Sequence, residues 1–294
     1  MFKTLVKSTL SAALASTLLT FTAQADEIKV GGKNFTEQLL LAEITSELLE
    51  AKGFDVAKLD GMGTSVLRAA QENGQVDIYW EYTGTSLITF NKIEDKLTAE
   101  ETYAKVKELD AQVGITWLDA SNANNTYALA VRAADDKGLS TLSDLAAAYN
   151  GDTAPKMGVN AEFPKRPDGL PGLEETYGFD IGRKDIAPMQ SGLIYDALKG
   201  GQVDVGLVFA TDGRIAAFDF KVLADDKGFF PAYAITPTIR TEVLEAHPEI
   251  GVLLNGVSAV LTDDLMQSLN ARVDVDKETI EDVASSFLAE QGLI

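Results

Sequence analysis

The sequence predicts an α/β chain built as two similar lobes with a ligand cleft between them. Two observations carry that prediction. From Ile28 onward, short apolar runs alternate with amphipathic stretches, the pattern of strands exchanged with helices. In addition, Gly74-Gln75-Val76-Asp77-Ile78 recurs as Gly201-Gln202-Val203-Asp204-Val205, each copy after a helical stretch, at an offset of 127. The same offset aligns Met62 with Met189, Ala70 with Ala197, and Lys29-Val30-Gly31 with Lys156-Met157-Gly158. A match this short is also what a shared helix-to-strand turn produces; read as a repeat, it gives two lobes. It superimposes Tyr82 on Phe209, so each lobe brings an aromatic ring to the end of its matching strand, where α/β sheets bind ligands.

The elements follow in order. Ile28 to Gly31 reads as a strand, and Asn34-x-x-Glu37 as a capping box opening a helix with Leu40, Ile44 and Leu48 on one face and Gly53 at its end. A strand is predicted over 76–81. Thr98-x-x-Glu101 opens a helix with Val106, Leu109 and Val113 inward, ahead of a strand over 115–118. A strand over 126–132 precedes a third helix start at Thr141-x-x-Asp144, and further strands are predicted over 156–160, 202–209 and 233–239. There is no low-complexity linker and no block of like charge.

Composition excludes whole classes of function. The 294 residues carry 25 Lys+Arg against 45 Asp+Glu, a net charge of −20, which repels a polyphosphate partner and excludes nucleic acid. No Cys means no disulfide, zinc-thiolate site, iron–sulfur cluster or cysteine nucleophile, and the single histidine, His247 beside Pro248, reads as a surface or capping residue. There is no P-loop, no G-x-S-x-G, no H-E-x-x-H and no S-x-x-K, and Gly61-Met62-Gly63 fails the dinucleotide fingerprint because Val66 stands where the third glycine belongs. Asp274-x-Asp276-x-Glu278 resembles a calcium loop, but Thr279 occupies the position that needs glycine. No cofactor and no metal are expected.

The first 25 residues read as a signal peptide. Lys3 and Lys7 precede an apolar stretch from Leu10 to Phe21, and Ala23-Gln24-Ala25 directly before Asp26 is an A-x-A cleavage site. The apolar run is short of the roughly 20 residues that span a bilayer. Cleavage after Ala25 leaves 23 basic and 45 acidic residues, a net charge of −22. Without a cysteine to carry lipid, the mature protein is expected to be soluble in the periplasm of a double-membraned bacterium, with no direct membrane insertion.

Three local clusters exceed what folding demands. Gly31-Gly32-Lys33-Asn34-Phe35-Thr36-Glu37 passes a lysine from a strand end into a helix N-terminus, which favours an anion. Glu81-Tyr82-Thr83-Gly84-Thr85 lies at another strand end, and Glu162-Phe163-Pro164-Lys165-Arg166-Pro167-Asp168-Gly169 is a proline-braced loop holding an arginine. Taken singly, each has a plainer reading: a solvated Lys33, a core Tyr82, a surface Arg166. Together, with Asp77-Ile78-Tyr79-Trp80 before the second cluster, Asn124-Asn125-Thr126-Tyr127, Thr211-Asp212-Gly213 and Phe229-Phe230-Pro231-Ala232-Tyr233, they resemble the substrate-binding proteins of osmoprotectant ABC importers, the glycine betaine/choline-binding family, from about Ile28 to Leu293.

That resemblance implies a two-lobed periplasmic-binding-protein fold of type II-like topology. Lobe I would be 26–128 plus 232–294 and lobe II 129–231, with two hinge crossovers near 125–129 and 229–233. It implies an aromatic box of Tyr82, Tyr127, Phe209 and Tyr233 around a quaternary ammonium, with the Asn125 main-chain carbonyl nearby. Lys33, Thr85 and Arg166 would clamp a carboxylate. Phe209 departs from the tyrosine the family commonly has there, losing a hydroxyl that would orient the ring. The chemistry agrees: a trimethylammonium has no N–H to donate, so aromatic faces are the fitting partner, and an arginine fork with a lysine suits a carboxylate. Glycine betaine is favoured over choline, which would leave Lys33 and Arg166 unpaired; carnitine and proline betaine are further alternatives. The implied partners are an inner-membrane ABC permease with its ATPase, and the binding protein is expected to act as a monomer. The rival classes are a periplasmic enzyme using Glu81, Asp168 or Asp212 as acid/base, which has no nucleophile, metal set or cofactor loop to support it, and a sensory or structural module.

Overall fold

The computed structural model describes residues 27–151 and 154–294; the signal peptide expected over residues 1–25 and its cleavage site lie outside them. The first lobe begins with β1 (Ile28–Lys33), α1 (Thr36–Ala51), β2 (Val56–Met62), α2 (Thr64–Glu72) and β3 (Ile78–Tyr82). A one-turn α3 (Thr83–Thr85) and a π-helical turn over Ser86–Phe90 lead to α4 (Ala99–Ala111) and β4 (Ile115–Trp117). The second lobe holds β5 (Tyr127–Arg132), α5 (Leu142–Tyr149), β6 (Met157–Val159), α6 (Leu170–Tyr177), β7 (Ile186–Pro188), α7 (Ser191–Lys199), β8 (Val205–Phe209), α8 (Arg214–Ala217) and β9 (Phe220–Val222). The chain then returns to the first lobe as β10 (Ile235–Arg240), followed by α9 (Thr241–Ala246), α10 (Pro248–Val260), α11 (Asp263–Asp274) and α12 (Ile280–Glu290).

Each lobe has a five-stranded mixed sheet, in the orders β2-β1-β3-β10-β4 and β7-β6-β8-β5-β9. The sequence echo is a structural repeat. Helices α2 and α7 are nine residues each and β3 and β8 five, at matching positions. Val30 pairs with Ile78 as Met157 pairs with Val205. The Lys29 N–H donates to the Asp77 carboxylate at 2.9 Å as the Lys156 N–H donates to Asp204 at 3.0 Å. Gly74 and Gly201 turn helix into strand at φ +71° and +70°, a left-handed conformation that glycine adopts without a Cβ penalty. The shared turn is thus one part of a wider correspondence.

The predicted capping boxes at Thr98/Glu101 and Thr141/Asp144 form as expected. The one at Asn34/Glu37 does not. Phe35 is the N-cap, extended and without a side-chain cap, and Glu37 is buried instead. Four side-chain donors from distant segments converge on its carboxylate, as described below, and they outcompete the local backbone. Strands β2, β7 and β9 escaped prediction; all three are sheet edges, where one side of the ladder is open and burial imposes a weaker pattern.

Helix α1 is enclosed: Leu40, Ile44 and Leu48 are fully buried as predicted, and so are Leu41 and Leu49 on flanking positions. On the outer part of the first lobe, Arg68 of α2 forks onto Asp110 of α4 at 2.7 and 2.8 Å, and Asp110 also accepts Trp117 Nε1 at 2.7 Å and Ser86 Oγ at 2.8 Å. The chain leaves the first sheet after Trp117 and enters the second at Tyr127; it leaves that sheet after Val222 and returns at Ile235. The two crossovers run side by side, the Asn125 N–H donating to Tyr233 O at 3.1 Å and the Ile235 N–H to Ala123 O at 3.0 Å. Among the described residues, no helix is long and apolar enough to cross a membrane.

Candidate functional site

Strand ends and crossovers deliver the predicted residues to one place. Lys33 ends β1, Tyr82 ends β3, Thr85 closes α3, and Phe209 ends β8. Asn125 and Tyr233 lie on the two crossovers, Tyr127 opens β5, and Arg166 sits in the loop before α6. All eight line a single cavity of about 460 Å³ between the lobes.

One wall is aromatic. Phe209 lies parallel to Phe35, with ring centroids 5.3 Å apart and planes within 5°. Phe35 is also stacked on Tyr82 at 6.3 Å, and Tyr127 meets Phe209 at 5.3 Å and Tyr233 at 5.8 Å. Five rings therefore form a continuous series, and Phe35 is the one that sequence reasoning missed. It stands within Lys33-Asn34-Phe35-Thr36-Glu37, two residues from the lysine, where its ring could equally belong to the core. Stacking on Phe35 holds Phe209 without the hydroxyl that a tyrosine would bring. Tyr82 is held by its own hydroxyl, which accepts from Gln38 Nε2 at 2.9 Å and donates to Glu37 at 2.8 Å. Tyr233 closes in over Gly84, where a Cβ would lie 2.9 Å from its ring; any side chain there would push the ring away.

Glu37 is the buried anchor beneath this wall. Besides Tyr82, its carboxylate accepts Asn125 Nδ2 at 2.6 Å, Thr211 Oγ1 at 2.5 Å and Asn270 Nδ2 at 3.3 Å. Burial pushes the carboxyl above the usual range, and these four donors oppose that rise.

The charged wall differs from expectation. Lys33 is buried against Glu81, Nζ to Oε1 at 2.5 Å, and its ammonium lies 4.6 Å from the Tyr82 ring centre. Burial pulls the lysine below its ordinary range, and Glu81 opposes this. Arg166 forks onto Asp168 through Nε, at 2.8 Å, and Nη2, and also reaches Thr85 Oγ1 at 3.3 Å. Tyr233 Oη donates to Asp168 at 2.5 Å, so a ring of the aromatic wall and the arginine share one carboxylate. The expectation that choline would leave Lys33 and Arg166 unpaired is therefore corrected: Glu81 and Asp168 already balance them. What Arg166 keeps available is Nη1, which makes no hydrogen bond among the described residues.

The three carboxylates considered for acid/base work are all committed elsewhere. Glu81 holds Lys33 and accepts from Tyr79 Oη at 3.0 Å, Asp168 holds Arg166, and Asp212 holds Arg214 at 2.6 and 2.9 Å. Among the described residues, no group of three or more His, Cys, Asp or Glu is placed to hold a metal ion.

Comparison with known proteins identifies the family. Residues 26–290 match the family described as the substrate binding domain of ABC-type glycine betaine transport systems. The chain is 44% identical over 280 residues to a glycine-betaine-binding protein of Pseudomonas aeruginosa, covering 92% of this chain and 90% of that one. It is 34% identical over 279 residues to the glycine betaine-binding protein YehZ of Escherichia coli K12, covering 91% and 92%. A crystal structure of a glycine betaine/carnitine/choline ABC transporter superimposes with a TM-score of 0.72 at 31% identity, covering 90% of this chain and 99% of that one. Two lobes of matching topology around an aromatic cleft, and a family match over nearly the whole chain, lead to one assignment: this chain belongs to that family, as the substrate-binding component of a glycine betaine/osmoprotectant ABC transporter rather than an enzyme.

Proposed function

We propose that the cavity binds a quaternary ammonium osmoprotectant, glycine betaine foremost, in the periplasm after cleavage behind Ala25. The bound protein then docks on its permease as a monomer. The observation that carries this reading is the placement of five aromatic rings against one wall of a cavity whose other wall holds Arg166 with Nη1 uncommitted. Tyr82, Tyr127, Phe209, Tyr233 and Phe35 would surround the trimethylammonium, each face contributing about 0.5–2 kcal/mol according to its desolvation. Arg166 Nη1 and Thr85 would take the carboxylate, with Asp168 fixing the guanidinium in plane. Asn125 also lines the cavity, its side chain fixed by Glu37. Lys33 contributes through Tyr82 and Glu81 more than as a bare cation.

Choline is the second reading, favoured by the Lys33–Glu81 and Arg166–Asp168 pairs, which leave the cleft balanced without a ligand carboxylate. Calorimetric titration with glycine betaine, choline, carnitine and proline betaine separates the two. Arg166→Ala should weaken glycine betaine far more than choline; equal losses for both would overturn the carboxylate clamp.

A further inference from the structure

We infer that Glu162 sets the lifetime of the closed cleft by capping helix α2 of the opposite lobe. Glu162 lies in the loop after β6, in the second lobe, and Thr64 is the first residue of α2, in the first. The Glu162 carboxylate accepts the Thr64 backbone N–H at 3.2 Å and the Thr64 hydroxyl at 2.9 Å, both across the cleft. Helix α2 has no cap of its own, because the preceding residue is Gly63, which has no side chain to offer. First-turn N–H groups carry partial positive charge and need an acceptor. Here the acceptor comes from the other lobe, so it is present only when the lobes meet.

Glu162 is held ready for this contact. Asn160 Oδ1 accepts the backbone N–H groups of Glu162 at 3.1 Å and Phe163 at 2.8 Å, folding the loop into a tight turn. The internal repeat supplies a comparison, since the 127-residue offset places Phe35 at the position of Glu162. Phe35 also crosses the cleft, onto Phe209. Both lobes thus reach across from the equivalent loop, one with a ring and the other with a carboxylate. A stacked ring tolerates sliding; two hydrogen bonds to one residue do not, so Glu162 fixes the register in which the lobes close. A contact made only in the closed state slows opening, and therefore release, without altering encounter.

The kinetic test rests on the proposed quaternary ammonium ligand; a second readout does not. Glu162→Gln and Thr64→Val should each raise the dissociation rate of glycine betaine roughly tenfold, as expected for losing charge-assisted bonds, with the association rate unchanged. The double variant should release no faster than the singles, and Thr64→Ser, which keeps both donors, should release at the wild-type rate. The chain has no cysteine, so nitroxide labels at Val66→Cys and Leu193→Cys, exposed on α2 and α7, report lobe separation in the ligand-free protein. Glu162→Gln should move that distribution toward open. Wild-type release in both single variants, or additive effects in the double, would overturn the latch. If the wild-type protein binds none of the quaternary ammonium solutes, the functional reading fails and the label distances decide the latch, an unchanged distribution overturning it.

Discussion

The Tyr82 hydroxyl donates to Glu37 Oε1 at 2.8 Å, so a ring that faces the cavity is oriented by a buried carboxylate. The same carboxylate takes Asn125 from the first crossover, Thr211 from the second lobe and Asn270 from α11. It ties the aromatic wall to the first crossover, the second lobe and α11.

Glu37→Gln places an amide NH₂ where a carboxylate oxygen accepts two donors. It should destabilise the fold by about 1–3 kcal/mol and weaken ligand binding through a loosened Tyr82. Because burial raises the Glu37 pKa, its contribution to stability is fully present below the unfolded value near 4.5 and is lost as pH rises through the folded value. Urea unfolding of both proteins at pH 7 and pH 5 should therefore show the wild type gaining on the variant as pH falls.

Lys33→Met leaves Glu81 buried without its partner and should cost about 3–5 kcal/mol. Lys33→Met combined with Glu81→Gln should recover most of that loss. Since Glu81 balances Lys33, the double variant should keep its preference between glycine betaine and choline; loss of betaine alone in calorimetry would instead make Lys33 a direct carboxylate ligand.

Phe35→Ala removes the ring on which Phe209 rests and one face of the box. A loss of about 1–1.5 kcal/mol, roughly tenfold in Kd, is expected in titration. Phe209→Tyr should change Kd far less, because stacking already holds the ring.

Asp110→Asn strips the charge from the buried pair with Arg68 and should lower unfolding stability by about 3 kcal/mol. Its network lies outside the cavity, so Kd for the ligand at 25 °C should be unchanged, separating a structural ion pair from the ones in the cleft.

The repeat was legible because a glycine at positive φ and an aspartate bonding the neighbouring strand leave a mark at fixed spacing, Gly74 and Asp77 against Gly201 and Asp204. Of the four edge strands, β2, β7 and β9 left none, while β4 falls within the strand read over 115–118. The role of Glu37 was not readable from Asn34-x-x-Glu37, since spacing reports the local donors of a cap and says nothing of Tyr82, Asn125, Thr211 and Asn270, which arrive only through the tertiary fold. Of the two ion pairs that hold Lys33 and Arg166, Arg166–Asp168 joins residues two apart in the chain, while Glu81 is 48 residues from Lys33. Residue type and order located the cavity, but how its charges are shared depends on distances that only folding sets.

The repeat has one more consequence. Across the offset, Lys33 answers to Asn160, Phe35 to Glu162, Tyr82 to Phe209 and Thr85 to Asp212. Two lobes of matching strand order have thus been given different side chains at the positions that border the cleft. A cage of identical halves would offer a guest the same chemistry in two orientations. The proposed betaine is cationic at one end and anionic at the other, and this broken symmetry would give it a single way to lie.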